Sequence, residues 1–163
     1  MKLLGIEKPL ALAPMGSASG GALAAAVSGA GGLGLIGAGY GDADWMREQF
    51  RLAGGARVGV GFITWSLARR PALLDLALQH KPAAIMLSFG DPAPFAETIR
   101  RAGAKLILQV QDVETAKQAL AAKPDLRDRQ TDPACTFYSG DRTTSSAVAR
   151  SLLDPVSTAG RAL

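Results

Sequence analysis

Short apolar segments recur along this chain at nearly constant spacing, and that spacing limits the folds open to it. The segments have strand length and begin near residues 10, 33, 58, 84 and 105, in steps of 23, 25, 26 and 21 residues. Helix-like segments fill the intervals, including 71–79, 94–102 and 113–122. Apolar strands that alternate with amphipathic helices are typical of parallel sheets covered by helices. The sequence therefore predicts an α/β fold built from about five repeated β/α units.

The length of the chain decides which β/α architecture is possible. A complete (β/α)₈ barrel needs about 250 residues and seldom fewer than 200, whereas this chain has 163. We therefore predict a TIM-barrel-like but incomplete fold, with about five of eight units in residues 1–122. An open five-stranded sheet exposes two edges and the apolar face that the remaining strands would cover. On that ground we expect the chain to self-associate.

The regular spacing stops near Lys123. A sixth strand is due near residue 126, but segment 123–132 holds one apolar side chain in ten, so we expect no strand there. The remainder is rich in Ser, Thr, Asp and Arg. We interpret residues 123–163 as an irregular tail unrelated to the barrel, as a frameshift or a premature end of an ancestral reading frame would produce. The alternative is an ordinary disordered tail on a smaller domain.

Composition argues against several classes of partner. The net charge is +4, but no basic run with interleaved aromatic residues occurs, so we expect no nucleic-acid partner. The lone cysteine, Cys135, cannot form an internal disulfide, which suits a reducing cytoplasm. Glu7, Lys8 and Pro14 interrupt the apolar N-terminus, and no stretch approaches the ~18 apolar residues of a membrane span. We expect a cytoplasmic protein without a targeting segment or membrane contact.

Glycine is concentrated early in the chain, where ten of the nineteen glycines lie between Gly16 and Gly41. Such a stretch lets the backbone approach a flat or anionic group closely, because no Cβ intervenes. Gly32–Gly37 satisfies the dinucleotide pattern G-x-G-x-x-G. That pattern needs a strand before it and a helix after it, whereas here a helix-like segment precedes and the intervening residues form the strand. A pyridine-nucleotide-binding module is therefore the less favoured interpretation.

Three segments resemble the nitronate monooxygenases. They are Ala13-Pro14-Met15, AAAVSGAGGLGLIGAGY (24–40) and LSFGDPAPF (87–95), and the resemblance covers roughly residues 5–122. It implies an FMN-dependent enzyme on a (β/α)₈ barrel, of which this chain is a truncated member. In that family FMN accepts an electron from an alkyl nitronate, and oxygen completes the conversion to a carbonyl compound and nitrite. The implied partners are thus FMN, a small alkyl nitronate and oxygen.

The resemblance also implies where the cofactor lies. It places the flavin ring along Ala13, Pro14 and Met15, which follow the first predicted strand at the end where barrel enzymes build their sites. It adds Gly61, where only the backbone is available to the cofactor. Gln109 ends the fifth predicted strand and so faces the barrel mouth, where its side chain is expected to reach a flavin or substrate; the alternative is a turn or cap residue.

No catalytic residue can be assigned from the sequence. The family's base is a histidine beyond the fifth strand, and no residue here matches it. His80, the single histidine, ends a helix at the opposite end of its unit, and there is no cluster with metal-ligand spacing. The second hypothesis is therefore a non-catalytic barrel fragment that acts only through self-association. Flavin absorption in the purified protein would separate the two.

Overall fold

The computed structural model describes residues 4–111 and 113–129, and within them it contains one parallel sheet. Each strand pairs with its successor in the chain, giving the order β1-β2-β3-β4-β5. The strands are β1 (Gly34–Gly37), β2 (Val58–Ile63), β3 (Ala84–Ser88), β4 (Lys105–Val110) and β5 (Leu126–Arg129). The described helices are α1 (Gly21–Gly29), α2 (Ala43–Ala53), α3 (Thr64–Arg69), α4 (Ala72–Gln79), α5 (Ala93–Arg101) and α6 (Val113–Ala121). Sequential parallel pairing with helices between the strands is the pattern of a partial (β/α) barrel, as predicted.

The helices cover one face of the sheet, called the outer face. Its strand residues include Ile36, Val60, Ile85 and Leu106, each with no exposed surface. They belong to the main apolar core, which also contains the buried helix residues such as Phe95. Because both faces of these strands are covered, they appear in the sequence as continuous apolar runs rather than alternating ones.

The inner face of the sheet is also buried, which corrects our expectation of an exposed apolar surface. Leu35, Met86 and Ile107 lie on this face, and each is at most 4% exposed. Leu4, from the N-terminal segment, packs in the same cluster. Gly59 has no side chain, and a methyl group there would come within 2.5 Å of Leu35 Cδ2. Leu35 therefore fills the space that a larger residue on β2 would take.

The first predicted strand, near residues 10–13, is not a strand. It forms one isolated parallel bridge, between Ala11 and Leu33. The Leu12 N–H donates to Leu33 O at 2.9 Å, and the Leu33 N–H donates to Leu10 O at 2.8 Å. Pro14 has no N–H with which to continue the ladder, so pairing ends after this bridge. The contact covers part of the free edge of β1.

The expectation that no strand begins near residue 126 is wrong. β5 pairs with β4 in parallel, with Ile107 opposite Leu126. Asp125 fixes the start of this pairing: its N–H donates to Leu106 O, and its Oδ2 accepts from the Leu106 N–H, both at 2.9 Å. Its Oδ1 also bonds Lys105 Nζ at 2.9 Å. Strand β5 thus forms from a polar segment, because it pairs with the backbone of β4 and the Asp125 carboxylate fixes its start. The remaining tail, from residue 130, lies outside the described residues, and its separate origin stays a prediction.

Helix α1 packs through its smallest residues. Gly21 and Ala24 are buried, whereas Leu23 is 47% exposed. A methyl group on Gly34 of β1 would come within 1.9 Å of Ala24 O, so this helix lies directly on the strand backbone. Glycine and alanine make that approach possible because little or no side chain separates the two elements.

No helix in the described part of the chain is long and apolar enough to cross a membrane.

Candidate functional site

The C-terminal ends of the strands, called the mouth below, carry a loop that lies directly on glycines. A methyl group on Gly37 would come within 2.4 Å of the carbonyl carbon and oxygen of Met15. A methyl group on Gly61 would come within 2.2 Å of Pro14 Cγ. These two glycines are paired neighbours on β1 and β2. The close approach that the glycines permit is therefore to the chain's own Pro14-Met15 segment, where the sequence had suggested a ligand.

Ser19 holds this loop in place. Its side chain is completely buried. The Met15 N–H donates to Ser19 Oγ at 2.6 Å, and the hydroxyl donates to Met15 O at 2.9 Å. The Ser19 carbonyl accepts from the Gly37 N–H at 3.0 Å, which ties the loop to β1. Sequence reasoning missed Ser19, although a serine just before a helix is a known local signal for side-chain bonds to the backbone.

Some backbone N–H and carbonyl groups of residues 13–15 are hydrogen-bonded within the described chain, and others are not. Both backbone groups of Met15 are occupied, since its N–H also donates to Ala13 O at 3.0 Å and its carbonyl accepts from Ser19. Within the described part of the chain, the Ala13 N–H and the Pro14 carbonyl have no hydrogen-bond partner. Both residues are half-buried at the mouth. The loop thus carries one donor and one acceptor, on neighbouring residues, that have no partner among the described residues.

Gly61 supports Pro14 from below. Its carbonyl accepts from the Ala38 N–H at 2.9 Å, and its α-carbon faces the proline ring. The structure therefore brings Gly61 together with the predicted 13–15 segment, beneath that segment.

Gln109 lies on the inner face of β4, one step nearer the mouth than the buried cluster. It lies two residues beyond Ile107, on the same face of the strand. Ile107 pairs with Met86 of β3, and Met86 pairs with Gly61 of β2. The Gln109 side chain is half-buried and accepts from Gln111 Nε2 at 3.4 Å. A cavity of about 20 Å³, which is room for about one water molecule, lies at the ends of β3 and β4, but outer-face residues such as Leu87 and Leu108 line it.

His80 lies away from the mouth. It follows the last residue of α4, is exposed, and stacks on Phe50 with ring centroids 4.0 Å apart. Among the described residues, no three His, Cys, Asp or Glu side chains are placed to hold a metal ion. The pKa of Glu48 is lowered by a hydrogen bond from Arg51, but this pair lies on the exposed surface of α2.

The structure of the Gly32–Gly37 segment rules out a dinucleotide-binding turn there. Its last four residues are β1 itself, and α1 precedes it rather than following it. The phosphate-binding turn of a dinucleotide fold requires the reverse order.

Comparisons with known proteins agree with the resemblance. Residues 1–57 match the family model of nitronate monooxygenase. A nitronate monooxygenase of Paraburkholderia phytofirmans is 30% identical, over 77% of this chain and 45% of that protein. FabK from Thermotoga maritima has a similar structure, with a TM-score of 0.69 and 30% identity over 77% of this chain and 41% of FabK. A nitroalkane oxidase from Streptomyces ansochromogenes gives a TM-score of 0.59 and 29% identity, over 77% of this chain and 47% of that chain. The chain spans less than half the length of each of these relatives.

Proposed function

We propose that this chain, whose N-terminal part is homologous to the nitronate monooxygenases, forms part of a flavin-dependent oxidoreductase that uses FMN and oxygen on an alkyl nitronate. The observation that carries the proposal is the rigid loop at the mouth. It presents the Ala13 N–H and the Pro14 carbonyl, which have no partner among the described residues, at the end of a parallel sheet where barrel enzymes bind their ligands.

The described residues fit one edge of a flavin. The ring of a flavin has neighbouring hydrogen-bond donors and acceptors along its polar edge, which match the free N–H of Ala13 and the free carbonyl of Pro14. The side chains of Ala13 and Pro14 are small or flat, so a planar ring can lie against them. The Gln109 amide, on the inner face of β4, supplies a further polar contact for this group. Gly61 acts indirectly, by holding Pro14 in place.

The roles of the protein are binding, orientation and exclusion of competing reactions. FMN, when bound, supplies the redox chemistry by accepting an electron from the nitronate. Ser19 and Gly37 fix the loop, so the Ala13 and Pro14 groups need no reorganisation when the cofactor arrives. A nitronate has already lost its carbon-bound proton, so no base is needed for it. A neutral nitroalkane needs a base, which typically contributes ~10²–10⁴-fold, and the exposed His80 is away from the mouth.

Titration of the purified chain with FMN, followed by flavin fluorescence, tests the cofactor. We expect Gly61→Ala to weaken FMN binding at least tenfold, because the added methyl group overlaps Pro14 Cγ and displaces it. Gly29→Ala is the matched control, since a methyl group there meets nothing within 4 Å. Equal FMN affinity in the two variants would place the flavin elsewhere.

Oxygen consumption tests the substrate form. The flavin-loaded chain is expected to act on a pre-formed nitronate and to fail on the neutral nitroalkane. Turnover of the neutral form that is lost in His80→Ala would show that the histidine belongs to the site.

The alternative function, a non-catalytic fragment that acts only by self-association, has less support. It was argued from the missing catalytic base and from an exposed apolar face, and the second argument fails because the described inner-face residues are buried. Self-association through a strand edge stays a prediction, and light scattering of the purified chain tests it. A compact monomer would contradict it. Localisation in the cytoplasm also stays a prediction.

A further inference from the structure

Three large aromatic side chains lie exposed just beyond the ends of three neighbouring strands. Tyr40 follows β1 and is 74% exposed, while Trp65 follows β2 and Phe89 follows β3, each 44% exposed. The ring centroids of Tyr40 and Trp65 are 6.0 Å apart. The backbone N–H of Trp65 donates to the backbone carbonyl of Phe89 at 3.2 Å, which places Phe89 next to Trp65. We call these three residues the aromatic rim. Exposed aromatic side chains grouped at the ends of neighbouring strands indicate a candidate contact site.

A cation lies over the rim. The guanidinium carbon of Arg69 is 5.1 Å from the centroid of the Trp65 ring. Within the described residues, Arg69 has no hydrogen bond or ion pair, so its N–H groups are free to bind a ligand. It differs in this from the other arginines with described side chains, each of which donates to a carboxylate or a backbone carbonyl: Arg47, Arg51, Arg57, Arg70, Arg100 and Arg101.

The local fold holds the cation and the ring together. Trp65 and Arg69 are four residues apart on α3, so they share one face of this helix. The first residue of α3, Thr64, is 1% exposed and packs beside Gly90. The buried Thr64 side chain and the bond from the Trp65 backbone N–H to Phe89 O hold this short helix in place. The segment is thus fixed against the end of β3.

We infer that Arg69 and the aromatic rim form a recognition site for a planar anion that carries an aromatic group, and that the substrate is an aryl-substituted nitronate. A nitronate shares one negative charge between two oxygens in a plane, as a carboxylate does. The guanidinium fork binds such a pair of oxygens with two parallel hydrogen bonds. The aromatic group of the same ligand packs against the rings of Tyr40 and Trp65. The substrate class rests on the proposed function, whereas the binding of an aromatic anion does not.

The test uses benzoate, a stable carboxylate with the required shape, and needs no flavin. Trp45→Phe leaves Trp65 as the single tryptophan of the chain, so its fluorescence reports on the rim. We expect saturable quenching by benzoate and at least tenfold weaker binding of acetate, which lacks the ring, and of benzyl alcohol, which lacks the charge. Arg69→Gln in the same background should weaken benzoate binding about tenfold or more, the usual loss for hydrogen bonds to a charged group. Arg101→Gln, an exposed arginine on α5, is the control and should leave it unchanged.

Two outcomes overturn the inference: equal binding of benzoate and benzyl alcohol, or unchanged benzoate affinity in Arg69→Gln. The result is also independent of the cofactor. A chain that binds benzoate through Arg69 but does not bind FMN would contradict the proposed function and retain the aromatic-anion site. A chain that binds FMN but not benzoate would contradict the aromatic-anion site and leave the proposed function standing.

Discussion

The two edges of the sheet are held by opposite means. At the β1 edge, backbone lies on backbone: α1 contacts β1 at Gly34, and Met15 of the 13–15 loop lies on Gly37. At the β5 edge, a charged side chain makes the contact, because Asp125 bonds both the Leu106 N–H and Lys105.

The difference shows two ways in which a sequence can fix neighbouring elements. The β1 edge depends on the absence of side chains, so it tolerates no added atom and does not respond to salt. The β5 edge depends on a partly exposed charge pair, so it tolerates changes of shape but weakens as salt screens the charges. The candidate flavin loop belongs to the first kind, which suits a site whose geometry has to be fixed before the ligand arrives.

The largest expected effect comes from adding one methyl group at the β1 edge. Gly34→Ala brings a methyl group within 1.9 Å of Ala24 O, and the backbone of α1 cannot move aside as a flexible side chain would. We expect the free energy of unfolding to fall by about 3 kcal/mol or more, measured by chemical denaturation. A loss below about 1 kcal/mol would show that α1 does not lie on β1 as described.

Ser19→Ala removes the side-chain clamp on the loop. It leaves the half-buried Met15 backbone without the buried hydroxyl that bonds it, so we expect a loss of about 1–3 kcal/mol in unfolding free energy. FMN affinity should fall as well, which a purely structural role far from the site would not cause. Ser17→Ala is the control, because that hydroxyl is exposed. Unchanged FMN affinity in a folded Ser19→Ala protein would separate the clamp from the cofactor.

Asp125→Ala tests the β5 edge. It removes the bond to the Leu106 N–H and the pair with Lys105, and the side chain of Asp125 is 23% exposed, so we expect a loss of about 1–2 kcal/mol. Hydrogen exchange should rise in β5 and leave β1 and β2 unchanged. High salt should reduce the difference from the parent protein. Asp44→Ala, whose carboxylate is 94% exposed, serves as the control. Uniform exchange along the sheet would contradict a local role.

The smallest expected effect has the opposite sign. Gly29 ends α1, and a methyl group there meets open space, so Gly29→Ala should raise the free energy of unfolding by about 0.5–1 kcal/mol. Thermal unfolding measures the gain. A destabilised variant would show that the glycines of this region are needed for more than the close contacts described above.

Elements with a strong local pattern were predictable. The apolar runs of β2, β3 and β4 and the helices α4, α5 and α6 were recognised at nearly the observed bounds, because apolar periodicity is a property of neighbouring residues. The N-cap of α2 depends on a local signal of the same kind, since the Asp42 carboxylate accepts from the Trp45 N–H at 2.9 Å. Elements that depend on distant partners were not predictable. The first apolar run stops at one bridge, and β5 forms from a polar segment because β4 supplies its hydrogen bonds.

The candidate site divides in the same way. By itself, the sequence determined the class of fold, the resemblance over the N-terminal part, and the 13–15 segment, since these depend on residue types and their order. Only the tertiary structure decided what those residues contact: Gly61 supports Pro14, Ser19 bonds the backbone of Met15, and Arg69 lies over the ring of Trp65. The physical reason is that a glycine in the sequence indicates only that some group packs close to the backbone at that position. Which backbone, ring or ligand fills that space depends on elements far apart in the chain.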